Sequence, residues 1–322
     1  MESKAGMQKT SLGTSGPAIS ALALGAASLG SVYSEVSQQN ANETVRTALE
    51  LGVNFIDVAP YYGLTKAETV LGHALQDVPR EAYLLATKIG RYGDKDWDFS
   101  REATLRSLDA SLRRLKSGHI DILQCHDIEM GDYQQLIDEA LPTLLDLKRQ
   151  GVINFVGITG YNLALLEKVA VEQRVDTVMA YCTYTLQDQR LAPVARRLQA
   201  HGISVFNASP LGMGLLTRRG PPDWHPGHPS VHAAAAEAAR ICEEAGSDIS
   251  KLALQFALQG AVKNGMATTV IGSASPANMR DNVAALSEPI DPNLLAQVEA
   301  VLAPVQNQGW DILPGNGGKA GK

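Results

Sequence analysis

Cysteine is scarce in this chain. Three stand in 322 residues, Cys125, Cys182 and Cys242, far apart and with no CxxC among them. That excludes a disulfide framework and a cysteine-held metal module, and no metal is expected. The three read as reduced, buried small hydrophobes of a cytoplasmic protein. Long apolar runs are missing too, so no membrane span is expected. The opening Met1-Glu2-Ser3-Lys4-Ala5-Gly6 lacks the basic and apolar regions of a secretion signal. Basic stripes are absent: the net charge is −6 with both signs mixed along the chain, which speaks against nucleic acid as a partner. What remains, with 45% hydrophobic and 19% charged residues, is ordinary globular composition.

The pattern that is present alternates. Residues 1–9 read as disordered, and Ser11 to Ser20, with Gly13 and Gly16-Pro17, as a small hairpin. Short apolar runs then recur at Ala21–Gly25, Asn54–Asp57, Tyr83–Thr87, Ile120–Cys125, Val152–Ile158, Thr177–Ala180, Ser204–Asn207 and Thr268–Ile271. Between them lie stretches with helical spacing, such as Leu105, Leu108, Leu112 and Leu115 behind Ser100. Eight strands alternating with helices predict an α/β chain, a closed (β/α)8 TIM barrel with an N-terminal β-hairpin and extra C-terminal helices. The barrel domain spans 10–303, and 304–322 form a tail. An open doubly wound sheet is the alternative, but no G-x-G-x-x-G follows the first strand. The proline-rich Leu216–Ser230 stretch reads as a covering loop.

Barrel enzymes carry their chemistry at the C-terminal ends of the strands. Here Asp57 ends the second strand, Lys88 the third and His126 the fourth, with Tyr62 on the loop after the second. A phenol, ordinarily near 10, is poorly placed for proton transfer at neutral pH. A lysine beside it is expected to lower that value, a carboxylate to hold the lysine, and an imidazole to orient a substrate oxygen. Any one of these has a structural explanation, a solvated strand end or a satisfied core histidine; four at successive strand ends point to acid–base chemistry at a C–OH or C=O.

Asp57-x4-Tyr62-Gly63, Ala86-Thr87-Lys88 and the His126 strand resemble the aldo-keto reductases, as does the hairpin Leu12-Gly13-Thr14-Ser15-Gly16. The likeness runs from about Leu12 to Leu302. It implies a barrel that binds a nicotinamide dinucleotide, with Asp57, Tyr62, Lys88 and His126 as the catalytic tetrad. His126-Asp127-Ile128-Glu129, Gly157-Ile158-Thr159-Gly160, Ala208 to Leu216 and Gly220 to Pro226 are similar to the branch of L-galactose dehydrogenases and bacterial aldose 1-dehydrogenases. That branch implies a free sugar oxidised at C1 to its lactone, of the L-galactose, L-fucose or D-arabinose type. Tyr61, Asp127, Trp224, His225 and Trp310 are the candidates for the sugar site.

The resemblance also implies cofactor contacts at Thr159, Tyr181, Ser209, Leu211, Gly212, Ser273, Ser275, Asp281 and Asn282. The chain departs from the family in several of these places. Thr159-Gly160 and Tyr181 stand where Ser-Asn and Gln are common, and Ala208 replaces a stacking tyrosine. Gly272 and Asn278 stand where a lysine and an arginine would pair a 2′-phosphate, so NAD is expected in preference to NADP, with Arg280 as the nearest cation. The alternatives are an NADPH-dependent carbonyl reductase of the same family and a nucleotide-binding redox sensor with little turnover. Monomer and homodimer both remain open.

Overall fold

The hairpin forms first in the chain: β1 (Lys9–Ser11) pairs antiparallel with β2 (Ala18–Ser20). Lys9 therefore lies in a strand, although the sequence pattern counts it in the disordered N-terminus. Its turn buries Leu12 and Ile19 against residues of the strands that follow, so the hairpin packs on one end of the barrel. The computed structural model describes residues 7–32 and 34–310. Most of the N-terminal stretch and the tail beyond Trp310 lie outside the described residues.

Eight parallel strands close the barrel: β3 (Leu22–Gly25), β4 (Phe55–Asp57), β5 (Leu84–Ile89), β6 (Ile120–Cys125), β7 (Ile153–Gly160), β8 (Thr177–Tyr181), β9 (Ser204–Ala208) and β10 (Met266–Gly272). Each pairs with the next, and β10 returns to β3. Strand residues alternate between the two faces of the wall. Phe55, Ala86, Ile122, Met179 and Phe206 share one buried cluster, the barrel interior, with the Phe55 and Phe206 rings 5.2 Å apart. Two residues beyond Phe55, Ala86 and Ile122, the same face carries Asp57, Lys88 and Gln124. Inward apolar residues fill the barrel, and the next inward layer is polar. That step places the site.

Helices cover the outside: α1 (Gln38–Glu50), α2 (Lys66–Ala74), α3 (Arg101–Leu115), α4 (Tyr133–Gln135), α5 (Leu141–Arg149), α6 (Leu163–Gln173), α7 (Leu191–Ala200), α8 (Pro229–Glu244), α9 (Ile249–Ala261), α10 (Pro276–Ala284) and α11 (Pro292–Leu302). Their apolar stripes and the outer strand faces form the main core. Side-chain caps start several of them: Ser37 accepts from Asn40 N–H, Ser100 from Ala103 N–H and Asn162 from Leu165 N–H. Between α4 and α5 a π-helical turn, Leu136–Ala140, precedes Pro142. Pro142 has no N–H and crowds the carbonyl one turn back, so the regular ladder breaks there and Leu141 N–H reaches Leu136 instead.

The strand boundaries follow the sequence pattern within a residue or two, and β7 runs on to Gly160. α8 was not legible. Its alanine-rich face gives a weak stripe, yet Val231, Ala235, Ala238 and Cys242 bury it against Leu294, Val298 and Leu302 of α11 in a second core. Cys125, Cys182 and Cys242 are buried free thiols, as read from the sequence. Among the described residues no helix is long and apolar enough to cross a membrane, and no cluster of three ligating side chains could hold a metal.

Candidate active site

Asp57, Lys88 and His126 emerge at one rim, all but fully buried. The Lys88 ammonium donates to Asp57 Oδ2 at 2.6 Å and to the Val58 carbonyl at 2.9 Å. Two of its three donors are thereby fixed, and the nitrogen lies 4.8 Å from the centre of the Tyr62 ring. Gln124 donates to the other Asp57 oxygen at 2.9 Å. The carboxylate is held from both sides. Lys88 sits inside β5 rather than at its end, because its side chain has to come up beside β4, where Asp57 stands level with Ala86.

Tyr62 rides the loop after β4. Gly63 lets that loop turn: it has φ +59°, and a Cβ there would stand 2.3 Å from the Gly30 carbonyl oxygen. The Tyr62 ring meets the His126 imidazole edge-on, centres 5.6 Å apart at 87°. Burial and the Lys88 and Arg91 charges hold His126 well below its ordinary range, so it is neutral at physiological pH. Its Nδ1 is buried without a partner.

The Tyr62 phenol is pushed up to about 12. Burial is the main cause, and the Lys88 charge acts against it. This corrects the expectation of a lowered value. Lysine pulls in the expected direction, but desolvation of a phenolate between Asp57 and the barrel wall is the larger effect. At neutral pH the phenol therefore carries its proton almost entirely.

The sugar-site candidates divide. Tyr61 packs edge-on against Tyr62 and His126, and its hydroxyl donates to Asp94 at 2.8 Å. Asp127 follows His126 in a left-handed conformation, φ +44°, and its carboxylate takes Arg91 at 2.6 Å. His225 is buried with both ring nitrogens engaged, Nε2 on the Gly212 carbonyl at 2.9 Å and Nδ1 beside His232. It anchors the covering loop. Trp224 beside it points outward, 36% exposed. Trp310 stacks on Tyr161, ring centres 5.0 Å apart, and meets His225 edge-on.

The cofactor candidates line the strand ends on the other side. Thr159 is buried at the end of β7, its hydroxyl accepting from Asp127 N–H at 3.0 Å. Tyr181 ends β8 with its ring 5.6 Å from that of Tyr161. Ser209, Leu211 and Gly212 form the turn after β9, in which Ser209 and Gly212 have positive φ. Ser273 is buried after β10, and Ser275 caps α10 by accepting from Asn278 N–H. On α10 Asn282 is buried and Asp281 exposed. These residues fit a dinucleotide. Hydroxyls and the amide end of α10 suit phosphates; the nearest cation on the β8 loop, Arg190, is taken up by Asp188 and the Tyr161 hydroxyl. Gly272, Asn278 and Arg280 are exposed.

Residues 21–303 match the model of the aldo/keto reductase family. The chain belongs to that family. As an aldo-keto reductase it is an oxidoreductase, and the family's cofactors are nicotinamide dinucleotides. It is 42% identical to L-galactose dehydrogenase of Arabidopsis thaliana over 93% of this chain and 95% of that protein. It is 32% identical to D-arabinose 1-dehydrogenase of Saccharomyces cerevisiae over 80% of each. D-threo-aldose 1-dehydrogenase of a Pseudomonas species is 30% identical over 90% of this chain and 96% of its own length. Among solved structures, the holo form of a Bacillus halodurans aldo-keto reductase superposes with a TM-score of 0.75 at 27% identity, covering 96% of this chain and 99% of that one.

Sequence reading did not single out four residues of this rim: Gln124, which holds Asp57, Arg91, which holds Asp127, and Glu129 and Tyr161. Glu129 accepts from Tyr161 N–H at 2.6 Å and is pushed up to about 7 by burial and by Asp127. A Cβ on Gly160 would stand 2.2 Å from its second oxygen, which explains glycine there. Gln124 falls on the β6 face of Ile120 and Ile122, and a polar residue at that inward position is the one local signal for it. Nothing local signals Arg91.

Proposed function

We propose that this enzyme oxidises the anomeric C1 hydroxyl of a free aldose to the lactone, with NAD as the preferred cofactor. The observation that carries the reading is the buried Asp57–Lys88 pair beneath Tyr62, with a neutral His126 edge-on to the same phenol. The names of the three dehydrogenases above support a sugar substrate of the L-galactose, D-arabinose or D-threo-aldose type, and the sequence resemblance adds L-fucose.

Tyr62, as phenolate, takes the proton of the anomeric hydroxyl as the C1–H bonding electrons depart and the carbonyl forms. A bound nicotinamide dinucleotide supplies the acceptor for that hydride. Lys88 stabilises the phenolate before transfer, and Asp57 with Gln124 keeps Lys88 charged and aimed. Neutral His126 offers one ring N–H to the substrate oxygen, a donor fixed in advance where charge changes. Asp57, Lys88 and His126 are buried, so little water competes for those bonds.

The test is direct: L-galactose, L-fucose, D-arabinose and D-glucose, each with NAD and NADP, followed by formation of reduced cofactor. Turnover of at least one aldose is expected. Fast NADPH-dependent aldehyde reduction with no aldose oxidised would instead establish the carbonyl reductase reading.

Cofactor choice gives a separate prediction. A 2′-phosphate loses hydration on binding and needs cations in return. One charge-assisted hydrogen bond contributes roughly 1.5–3 kcal/mol, about tenfold to hundredfold in affinity. Gly272 and Asn278 supply none. NAD should therefore show the higher kcat/KM, and Asn278→Arg should strengthen NADP binding by about tenfold. A wild-type preference for NADP that Arg280→Ala abolishes would mean that Arg280 reaches the ribose.

A further inference from the structure

Arg91 has no place in the tetrad, yet it is among the most constrained charged groups at the rim. It is 8% exposed. Its guanidinium lies 3.6 Å from the centre of the Tyr61 ring and 4.8 Å from that of Trp97. Its terminal nitrogen donates to Asp127 Oδ2 at 2.6 Å, and its Nε is buried without a partner. Asp127 is held just as firmly. Its N–H bonds to Thr159, its backbone is in the left-handed region, and its Oδ2 lies 3.8 Å from His126 Nε2. A non-glycine residue is kept in that conformation only when its surroundings over-determine it.

The consequence is a fixed carboxylate beside the imidazole that would meet the reacting oxygen. Arg91 occupies Oδ2, and Oδ1 has only the long 3.4 Å approach of the Thr159 hydroxyl. Oδ1 therefore retains acceptor capacity. An acceptor next to the oxygen site suits a hydroxyl on the carbon adjacent to the reacting carbon. In an aldose that is the C2 hydroxyl.

We propose that Asp127 accepts the hydroxyl adjacent to the reacting carbon, and that Arg91 is the positioning residue that keeps the Asp127 carboxyl aimed. The pair makes the enzyme selective for 2-hydroxy carbonyl compounds and the corresponding sugars over plain aldehydes. This refines the proposed sugar chemistry and rests on it for the identity of the natural substrate. Its test does not depend on any aldose being turned over.

The experiment compares reduction of three aldehydes of equal chain length: propanal, 2-hydroxypropanal and 3-hydroxypropanal. Wild type should prefer the 2-hydroxy compound over the other two by about tenfold to hundredfold in kcat/KM, the usual worth of one hydrogen bond to a charged group. Asp127→Asn and Arg91→Gln should lose most of that preference, read within each variant as the ratio of kcat/KM for the 2-hydroxy compound to that for propanal. Each single variant leaves one charge without its partner. The double variant Arg91→Gln/Asp127→Asn leaves none buried alone, and it should fold and show the same loss. Arg91→Lys, lacking the planar fork, should restore little. The inference fails if wild type shows no preference for, or no turnover of, the 2-hydroxy compound. It fails equally if the 3-hydroxy compound is favoured to the same degree, or if the variants lose all three substrates in parallel. Aldose oxidation by wild type, measured alongside, judges the sugar reading separately.

Discussion

Tyr62→Phe should lower kcat by about 10²–10⁴-fold, the usual worth of a positioned general acid or base. Only a hydroxyl is lost, the ring still meets His126, and the barrel should stay packed. Cofactor affinity, read by fluorescence titration, should be nearly unchanged. The pH dependence follows from the phenol, which burial pushes up to about 12 against the pull of Lys88. Oxidation uses the phenolate, so well below that value its rate should rise nearly tenfold per pH unit. Reduction uses the phenol and should stay flat across neutral pH. The contrast between the two profiles belongs to one residue and should disappear in Tyr62→Phe. Retention of most activity, or an oxidation profile that is flat in wild type, would remove Tyr62 from this role.

The convergence of Asp57, Tyr62, Lys88 and His126 was legible because strand ends are. Asp57, Lys88 and His126 each follow a short apolar run, and in a barrel successive runs become neighbours. The fold was legible for the same reason: alternating strand and helix patterns admit few closures, and the missing glycine motif removed the main rival. What was hidden depends on distance. Arg91 meets Asp127 across 36 residues and Gln124 meets Asp57 across 67, and neither pairing leaves a mark in local spacing. The net direction at Tyr62 was hidden because sequence gives the sign of a neighbouring charge but not the depth of burial. α1 begins at Gln38 behind its Ser37 cap with a polar first turn, so apolar spacing alone does not mark its start.

Lys88→Met should damage both stability and rate, and the two losses should be separable. Lys88 and Asp57 form a buried pair with nitrogen and oxygen 2.6 Å apart. Removing one partner leaves Asp57 charged in the barrel with Gln124 as its remaining side-chain donor. Breaking a buried pair in this way costs roughly 3–5 kcal/mol, chiefly through the charge left behind. Asp57→Asn/Lys88→Met removes both charges, and an asparagine of the same shape can still accept from Gln124. The double variant should therefore recover most of the lost stability in urea titration. Its activity should not recover, because Lys88 acts on Tyr62 as well as on Asp57. Without that charge the phenol rises beyond its already raised value, so any residual oxidation should shift to higher pH. Should the double variant be no more stable than the single one, the cost lies in packing of the lysine stem rather than in the stranded carboxylate. Recovery of rate together with stability would make the pair a structural strut and leave Tyr62 without its lysine.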